Sequence, residues 1–374
     1  MELSASNLLN IAITPDPTQT TRCTRLAPLA SREAVPARAK WSYVTRNVAA
    51  ADTAFVSPLK GNEPQPGDLL LATVTRIAQH TKVQLQDGRR SQLFVGDELV
   101  LAYGNRYAPD QFEAEVPADL SACHLVAAGG IAAQAISKNS KLKWPTQIQP
   151  TGYLLNANGR PMNLRDYACT GAPTANLKAS TVTKPIVCVA GTSMNAGKTT
   201  VMASLTKGLS QAGLGVAALK VTGTGAGNDM WAYADAGACL TLDFTDAGHA
   251  STYQLSNQQI EQCLNSLVHE AQQDPRVDVI LVEIADGLLH HETLALMNTA
   301  SYRALAPQLI FAAGEAMGAL AGQQLLADHR IEVRAISGVL SASELALNEA
   351  AAATGLPVWT REALQAPTIA ATLL

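Results

Sequence analysis

The chain is short of charge. Only 16% of its 374 residues are Asp, Glu, Lys or Arg, against about 25% in an average globular protein. The net charge is −4. That balance gives no reason to expect nucleic acid or an anionic membrane as a partner. Aromatic residues are scarce as well, at 5%. No apolar run reaches the roughly 18 residues of a membrane span, and no secretory apolar segment follows Met1. A cytoplasmic protein is expected. The six cysteines, Cys23, Cys123, Cys169, Cys188, Cys239 and Cys263, form no Cys-x-x-Cys pair, so they read as reduced thiols rather than a disulfide framework. The seven histidines lack zinc spacing. Only His290 and His291 are adjacent, and neighbours on a helix point different ways.

Apolar mass is what the chain has. Hydrophobic residues make up 47%, and a chain this long is expected to form two domains. One stretch organises the rest, Ala190-Gly191-Thr192-Ser193-Met194-Asn195-Ala196-Gly197-Lys198-Thr199-Thr200. The apolar run 185–190 before it reads as a buried parallel strand, and a helical pattern follows over 198–212. Strand, glycine loop, Gly-Lys-Thr and helix is the setting of a phosphate-binding loop. Gly197 lets the backbone approach a phosphate. The unpaired first amides of the helix and its macrodipole favour an anion there. Lys198 can reach the β and γ phosphates, and the Thr199 hydroxyl can ligate Mg²⁺. Thr192, Ser193, Asn195, Ala196 and Thr200 complete the loop. The strict pattern asks for glycine at position 192, whereas here the glycine is Gly191.

Beyond 185 the chain alternates. Strands are expected at 185–190, 215–220, 238–243, 277–284, 308–313 and 333–340. Helices are expected at 198–212, 229–236, 256–273, 290–299, 315–328, 341–354 and 360–366. Such alternation with apolar strands gives an α/β fold with a parallel sheet covered on both faces. Ligands then bind at the carboxyl ends of the strands. The second strand ends in Lys220, followed by the glycine-rich run Thr222-Gly223-Thr224-Gly225-Ala226-Gly227, which can pass close to phosphate or substrate. Asp229 then opens a helix, as a cap or as a metal ligand. The strand 277–284 delivers Glu283, which burial makes costly without a cation, so a magnesium role is favoured. Asp286 and His290 share the same rim. Asp243 and Asp246 read equally as substrate contacts or as loop caps.

These strand ends and the loop resemble the dethiobiotin synthetases, in the signal-recognition/MinD/BioD class of P-loop proteins, over about residues 184–366. A domain of unknown function 1611 group has a comparable layout. The resemblance implies that Lys198 and Lys220 are catalytic, with Lys220 beside the reacting carbamate. It implies a Mg²⁺ site of Thr199, Asp229 and Glu283. Thr222, Gly223, Asp286 and His290 are the expected substrate side. Three features depart from that family: Val221 replaces a proline, Ile284-Ala285-Asp286-Gly287 replaces a glycine-rich segment, and Gly338–Ser343 has no base-reading asparagine.

The first 178 residues read as a smaller, mainly-β domain with a linker over 171–184, and 179–374 as the P-loop domain. A strand is conceivable at 7–14. Residues 18–47 hold Arg22, Arg25, Arg32, Arg38, Lys40 and Arg46 against the single acid Glu33, read as a solvated arm. Short alternating strands follow over 68–77, 81–85, 91–95 and 98–103, with Asp87-Gly88 as a hairpin turn, suggesting a small barrel or compact β domain. Tyr103–Tyr107 reads as a turn with two packing tyrosines, a ligand loop being the alternative. Residues 125–136 read as a strand or turn leading to a short helix.

The expected protein is an ATP- and Mg²⁺-dependent enzyme that phosphorylates a small-molecule carboxylate or carbamate for amide or ring formation. The resemblance adds a homodimer. A nucleotide switch or metallochaperone-type GTPase is the alternative, although no Asn-Lys-x-Asp motif is present, and a small-molecule kinase is a third reading.

Overall fold

Two separate sheets carry the fold in this computed structural model, which describes residues 34–53, 55–58, 62–170 and 182–374. The strand expected at 7–14, the arginines before Glu33, most of the linker and the boundary at 178 lie outside the described residues.

The first sheet uses β1 (Lys40–Trp41), β2 (Phe55–Ser57), β3 (Leu69–Arg76), β6 (Glu98–Tyr103), β7 (Arg106–Tyr107), β8 (Phe112–Glu115), β9 (Cys123–Ala127), β10 (Ile131–Lys138) and β11 (Thr146–Leu155). A separate hairpin joins β4 (Lys82–Gln84) to β5 (Arg90–Gln92). The strands β6, β3, β11, β9 and β10 pair in that order, and β10 pairs β6 again, so five strands close on themselves as a small barrel. Closure removes the sheet edges that would otherwise stay unpaired. Period-2 alternation divides the side chains. Leu70, Ala72, Leu99, Leu101 and Tyr103 join one apolar cluster. Leu69, Leu71, Val100 and Ala102 join another, together with Val44, Val48 and Ala250. The helix expected after 125–136 is absent: that stretch is the hairpin β9–β10, turned by Gly130 at φ 108°.

The second sheet is parallel throughout, in the order β14 (Leu240–Asp243), β13 (Val216–Lys220), β15 (Val279–Glu283), β12 (Ile186–Gly191), β16 (Gln308–Ala312), β17 (Val333–Ser337). It is flanked by α1 (Lys198–Gln211), α2 (Asn228–Ala236), α3 (Asn257–Gln273), α4 (His291–Met297), α5 (Ala300–Ala304), α6 (Ala316–Asp328), α7 (Glu344–Thr354), α8 (Arg361–Gln365) and α9 (Ile369–Leu373). Along β12, Ile186, Cys188 and Ala190 pack with α3, while Val187 and Val189 pack with α1, α2 and α9. Both faces are thus covered, as a parallel sheet requires.

The expected helix 290–299 is α4, and a further short helix, α5, follows it, started by Thr299, which turns extended and accepts the Tyr302 amide. The last strand stops at Ser337 rather than 340, because Gly338 takes φ 99°. The helix α9 was not anticipated. The cysteines 123, 169, 188, 239 and 263 are free thiols. Among the described residues no helix is long and apolar enough to cross a membrane.

Candidate functional site

At the carboxyl end of β12 the chain turns through Asn195 at φ 66° and Gly197 at φ 97° into α1. Gly197 is the N-cap, and no side chain caps the helix. Its first amides are therefore left for a ligand. A side chain at Gly197 would press on the backbone of Gly338 and Val339, and the Val339 amide donates to the Ala196 carbonyl at 3.0 Å. The loop after β17 thus braces the loop after β12. Gly191 is where it is because a Cβ there would lie 2.7 Å from the Ala312 carbonyl of β16.

Lys198 is buried. Its Nζ donates to the carbonyls of Ser193, at 2.8 Å, and Asp286, at 2.6 Å. Burial holds its pKa below the ordinary lysine value, with Glu283 and Asp286 opposing. Two backbone oxygens are acceptors that a phosphate can displace, so the ammonium is held over the loop without being locked into an ion pair.

Beside it, Thr199 Oγ1 donates to Asp229 Oδ1 at 3.1 Å. Lys220 donates to the other oxygen of Asp229 and lies 3.9 Å from Glu283. Tyr233 donates to Glu283. Burial opposes the charge on Lys220, but Asp229 and Glu283 outweigh it and raise its pKa. Glu283 is pushed up by burial, with Lys220 pulling down. Its burial is therefore met by an ammonium and a phenol and does not itself require a metal. Among the described residues no group of three His, Cys, Asp or Glu side chains forms a metal cluster. A Mg²⁺ that keeps its waters and takes phosphate oxygens needs only one or two protein oxygens, and the hydrogen-bonded pair Thr199 and Asp229 fits that need.

A cleft of about 540 Å³ joins these groups. Asn195, Gly197, Lys198, Thr199, Thr200, Lys220, Gly223, Asp229, Glu283 and Asp286 line it. The other anticipated residues stand back. Thr192 and Ala196 are engaged by backbone bonds to Ala312 and Val339, and Ser193 receives Lys198 through its carbonyl. Thr222 is buried, its hydroxyl accepting the Ala285 amide. His290 packs on Tyr107, with ring centroids 4.5 Å apart, and on Tyr253. Behind α1 a second cleft, of about 510 Å³, runs between Ser204, Ser337, Ser341 and Arg361 and shares Gly197, Thr200 and Val339 with the first.

Some glycines serve packing rather than ligand approach. A Cβ on Gly225 would strike Val44, and one on Gly227 would strike Tyr43, Gln84 and Trp231. The Gly227 amide donates to the Gln84 side chain at 2.9 Å. The barrel therefore sits directly on the loop after β13. The basic arm is not wholly solvated either: Arg46 pairs with Asp243 at 2.9 Å and Asp246 at 2.7 Å. Those two acids hold the N-terminal segment and also accept amides of their own loop, Thr245 to Asp243 at 2.7 Å and Asp243 to Asp246 at 2.9 Å, as the cap reading expects. Sequence reasoning missed Asp110, Gln111 and the reach of Arg106, because only the tertiary fold brings them into the cleft with Lys198, and it missed Gln84 against Gly227 for the same reason.

Residues 186–292 match the profile of a family described as molybdopterin guanine dinucleotide synthesis protein B. The match takes in β12, the phosphate loop, Lys220, Asp229, Glu283 and Asp286. The C-terminal half has the parallel-sheet α/β fold of a P-loop NTPase-like domain. This P-loop domain is preceded by the β-rich N-terminal region described above. Among solved structures, the chain is similar to the signal recognition particle 54 kDa protein of Aeropyrum pernix in complex with GDP, at 17% identity over 54% of this chain and 47% of that one, TM-score 0.34. It is similar to chloroplast FtsY of Physcomitrella patens, at 15% identity over 52% of this chain and 62% of that one, TM-score 0.34. A DUF1611 family protein of Anabaena variabilis is similar at 16% identity over 54% of this chain and 59% of that one, TM-score 0.34. In each case the chain spans less than two thirds of the other protein's length. No curated protein matches it.

Proposed function

We propose that the P-loop NTPase domain binds ATP with Mg²⁺ and passes the terminal phosphoryl group to a carboxylate or carbamate of a small molecule. The observation that carries this reading is Lys220. It stands in the cleft beside Lys198, charged, and held by Asp229 and Glu283. A second ammonium near the terminal phosphate lowers the repulsion between an anionic nucleophile and the triphosphate. The cleft behind α1 is suited to ribose and base, since it opens from the same Gly197 and Thr200.

In the proposed step a carboxylate oxygen bonds to the γ phosphorus while the bond from that phosphorus to the β,γ-bridging oxygen breaks. The electron pair leaves with ADP, and the product is an acyl phosphate, open to attack by an amine. Lys198 and the amides at the start of α1 hold charge on the moving phosphoryl group, and Lys220 orients the attacking carboxylate. Thr199 and Asp229 would hold the metal, with Glu283 behind Lys220. The metal, when bound, would neutralise phosphate charge.

The guanine in the matched family's description makes GTP the competing nucleotide, and a GTP-dependent switch the second reading. Calorimetry with non-hydrolysable ATP and GTP analogues separates the bases. Hydroxylamine trapping, which converts an acyl phosphate to a hydroxamate, separates transfer from switching. Lys198→Ala is expected to weaken triphosphate binding by about a hundredfold or more, as losing a charge-assisted contact to the terminal phosphates does, while the unfolding midpoint stays at the wild-type value. Undiminished turnover in that variant would refute the assignment.

A further inference from the structure

One wall of the nucleotide cleft does not belong to the P-loop domain. Arg106 of β7, with Asp110 and Gln111 from the turn before β8, lines it together with Lys198, Lys220 and Asp286. This wall is fastened to what it covers. The Asn195 side chain donates to Asp110 Oδ2 at 3.0 Å, and the Ser251 hydroxyl donates to the Asn105 carbonyl at 2.5 Å.

Arg106 is only 7% exposed. Its Nη2 donates to the Gln111 side-chain oxygen at 2.9 Å. Its Nε and Nη1 are buried and have no hydrogen-bond partner among the described residues. Phe112 lies near the guanidinium, 5.8 Å from ring centroid, and offers no acceptor. Burial lowers the Arg106 pKa to about 10, and the opposing pull of Asp110 does not restore it. A buried guanidinium with two idle nitrogens is destabilising, and the barrel could fill the space with an apolar side chain of similar length. The cost is recovered where a ligand brings the missing acceptors. Nη2 carries a second N–H besides the one given to Gln111, and its edge with Nε or with Nη1 matches two oxygens of one phosphoryl or carboxylate group.

Building on the nucleotide reading above, we propose that Arg106 is an oxyanion-binding residue supplied by the N-terminal barrel to the phosphate cleft. The anion is either the terminal phosphoryl group or the anionic group that sits against it. The site is then composite, complete only with both halves of the chain.

The test compares full-length wild type, Arg106→Met and Arg106→Lys by calorimetry. The probes are the magnesium complexes of ADP and of a non-hydrolysable ATP analogue, and inorganic phosphate titrated onto the ADP complex. Arg106→Met is expected to lose at least about tenfold in affinity for one oxyanion, and lysine to restore only part of it, because a point charge cannot bridge two oxygens. A loss confined to the triphosphate identifies the terminal phosphoryl group. A loss confined to added phosphate identifies the second anion. Without ligand, Arg106→Met is expected to melt at or above the wild-type temperature, since it removes an unpaired buried charge. A lower melting temperature would mark a structural arginine and overturn the inference, as would unchanged affinity for all three probes. If wild type itself binds no nucleotide, the nucleotide reading fails and takes this inference with it. If wild type binds and Arg106→Met binds equally well, only this inference falls.

Discussion

Two clusters of the same charge pattern lie side by side at the carboxyl ends of β13, β14 and β15. In register across the sheet run Asp243, Lys220 and Glu283. On one side Lys220 is shared between Asp229 and Glu283. On the other Arg46 is shared between Asp243 and Asp246, with Tyr43 stacked 4.3 Å from the guanidinium and donating to Asp243. Each is a cation between two acids in a mostly buried setting. They differ in where the cation comes from. Lys220 is local and lines an open cleft, whereas Arg46 arrives from the N-terminal segment and closes its acids off. The same charge pattern thus makes a site in one place and a domain clasp in the other, and only tertiary origin distinguishes them.

The largest effect is expected from breaking the clasp. Arg46→Met leaves Asp243 and Asp246 buried without a cation, which typically costs about 3–5 kcal/mol. Lys220→Met is expected to cost less. Glu283, already pushed up by burial, can take a proton, and the Asp229 side chain is 23% exposed. Urea unfolding of the two variants ranks them directly. Equal losses would mean that Lys220 is as structural as Arg46 and would weaken its place in the chemistry.

The contrast also marks what was legible in the sequence. Lys198, Thr199, Lys220, Asp229 and Glu283 could be placed together because each sits at a position fixed by local pattern: a strand end or the first turn of a helix. The parallel sheet confers adjacency on such ends with no further information. The barrel strands at 69–76 and 98–103 were legible for the same local reason, the period-2 alternation and the Asp87-Gly88 turn. Arg46 looked solvated because its partners lie about 200 positions away, where no periodicity points. The glycines at 225 and 227 looked like a ligand loop because a sequence shows that the backbone is approached closely, and not by what. Residues 125–136 carry alanines and glycines that suit strand or helix, and the barrel's closure through β10 decided the matter.

A third buried acid sharpens the comparison because, among the described residues, no lysine or arginine pairs with it. Glu292 accepts the Gln254 amide at 2.5 Å, and the His290 ring lies 3.8 Å from its other oxygen. Burial lowers the pKa of that ring, with Asp286 opposing. Burial pushes Glu292 up to about 7. The folded state therefore keeps a proton that the unfolded chain releases near pH 4.5. The stability this group contributes is present below about pH 4.5 and is lost as the pH rises through about 7, a change of about 3 kcal/mol. Glu292→Gln, which keeps the acceptor, is expected to match wild type at pH 4.5 and exceed it by up to that amount at pH 8. His80 and His249, both held down near 4 by burial, lose stability below about pH 6.5 in both proteins, so they cancel from the difference. A difference flat with pH would show that Glu292 is charged and paired like Asp243.

The smallest effect belongs to a further tie between barrel and P-loop, Asn195 to Asp110. Unlike Arg46, this pair is exposed to water, so its net worth is about 0.5–1 kcal/mol. Asn195 also holds φ 66°, a conformation that asparagine tolerates and alanine does not, at about 1–2 kcal/mol. The two contributions separate by substitution. Asn195→Ala removes the bond and adds backbone strain, so a loss of about 2 kcal/mol is expected. Asn195→Gly removes the bond and relieves the strain, so the loss is expected to fall below about 1 kcal/mol. If Asn195→Gly instead costs as much as Arg46→Met in urea unfolding, the barrel is held to the P-loop domain mainly over the Lys198 cleft, and the clasp at Asp243 and Asp246 is secondary. If it costs as little as expected, the barrel is anchored away from the cleft.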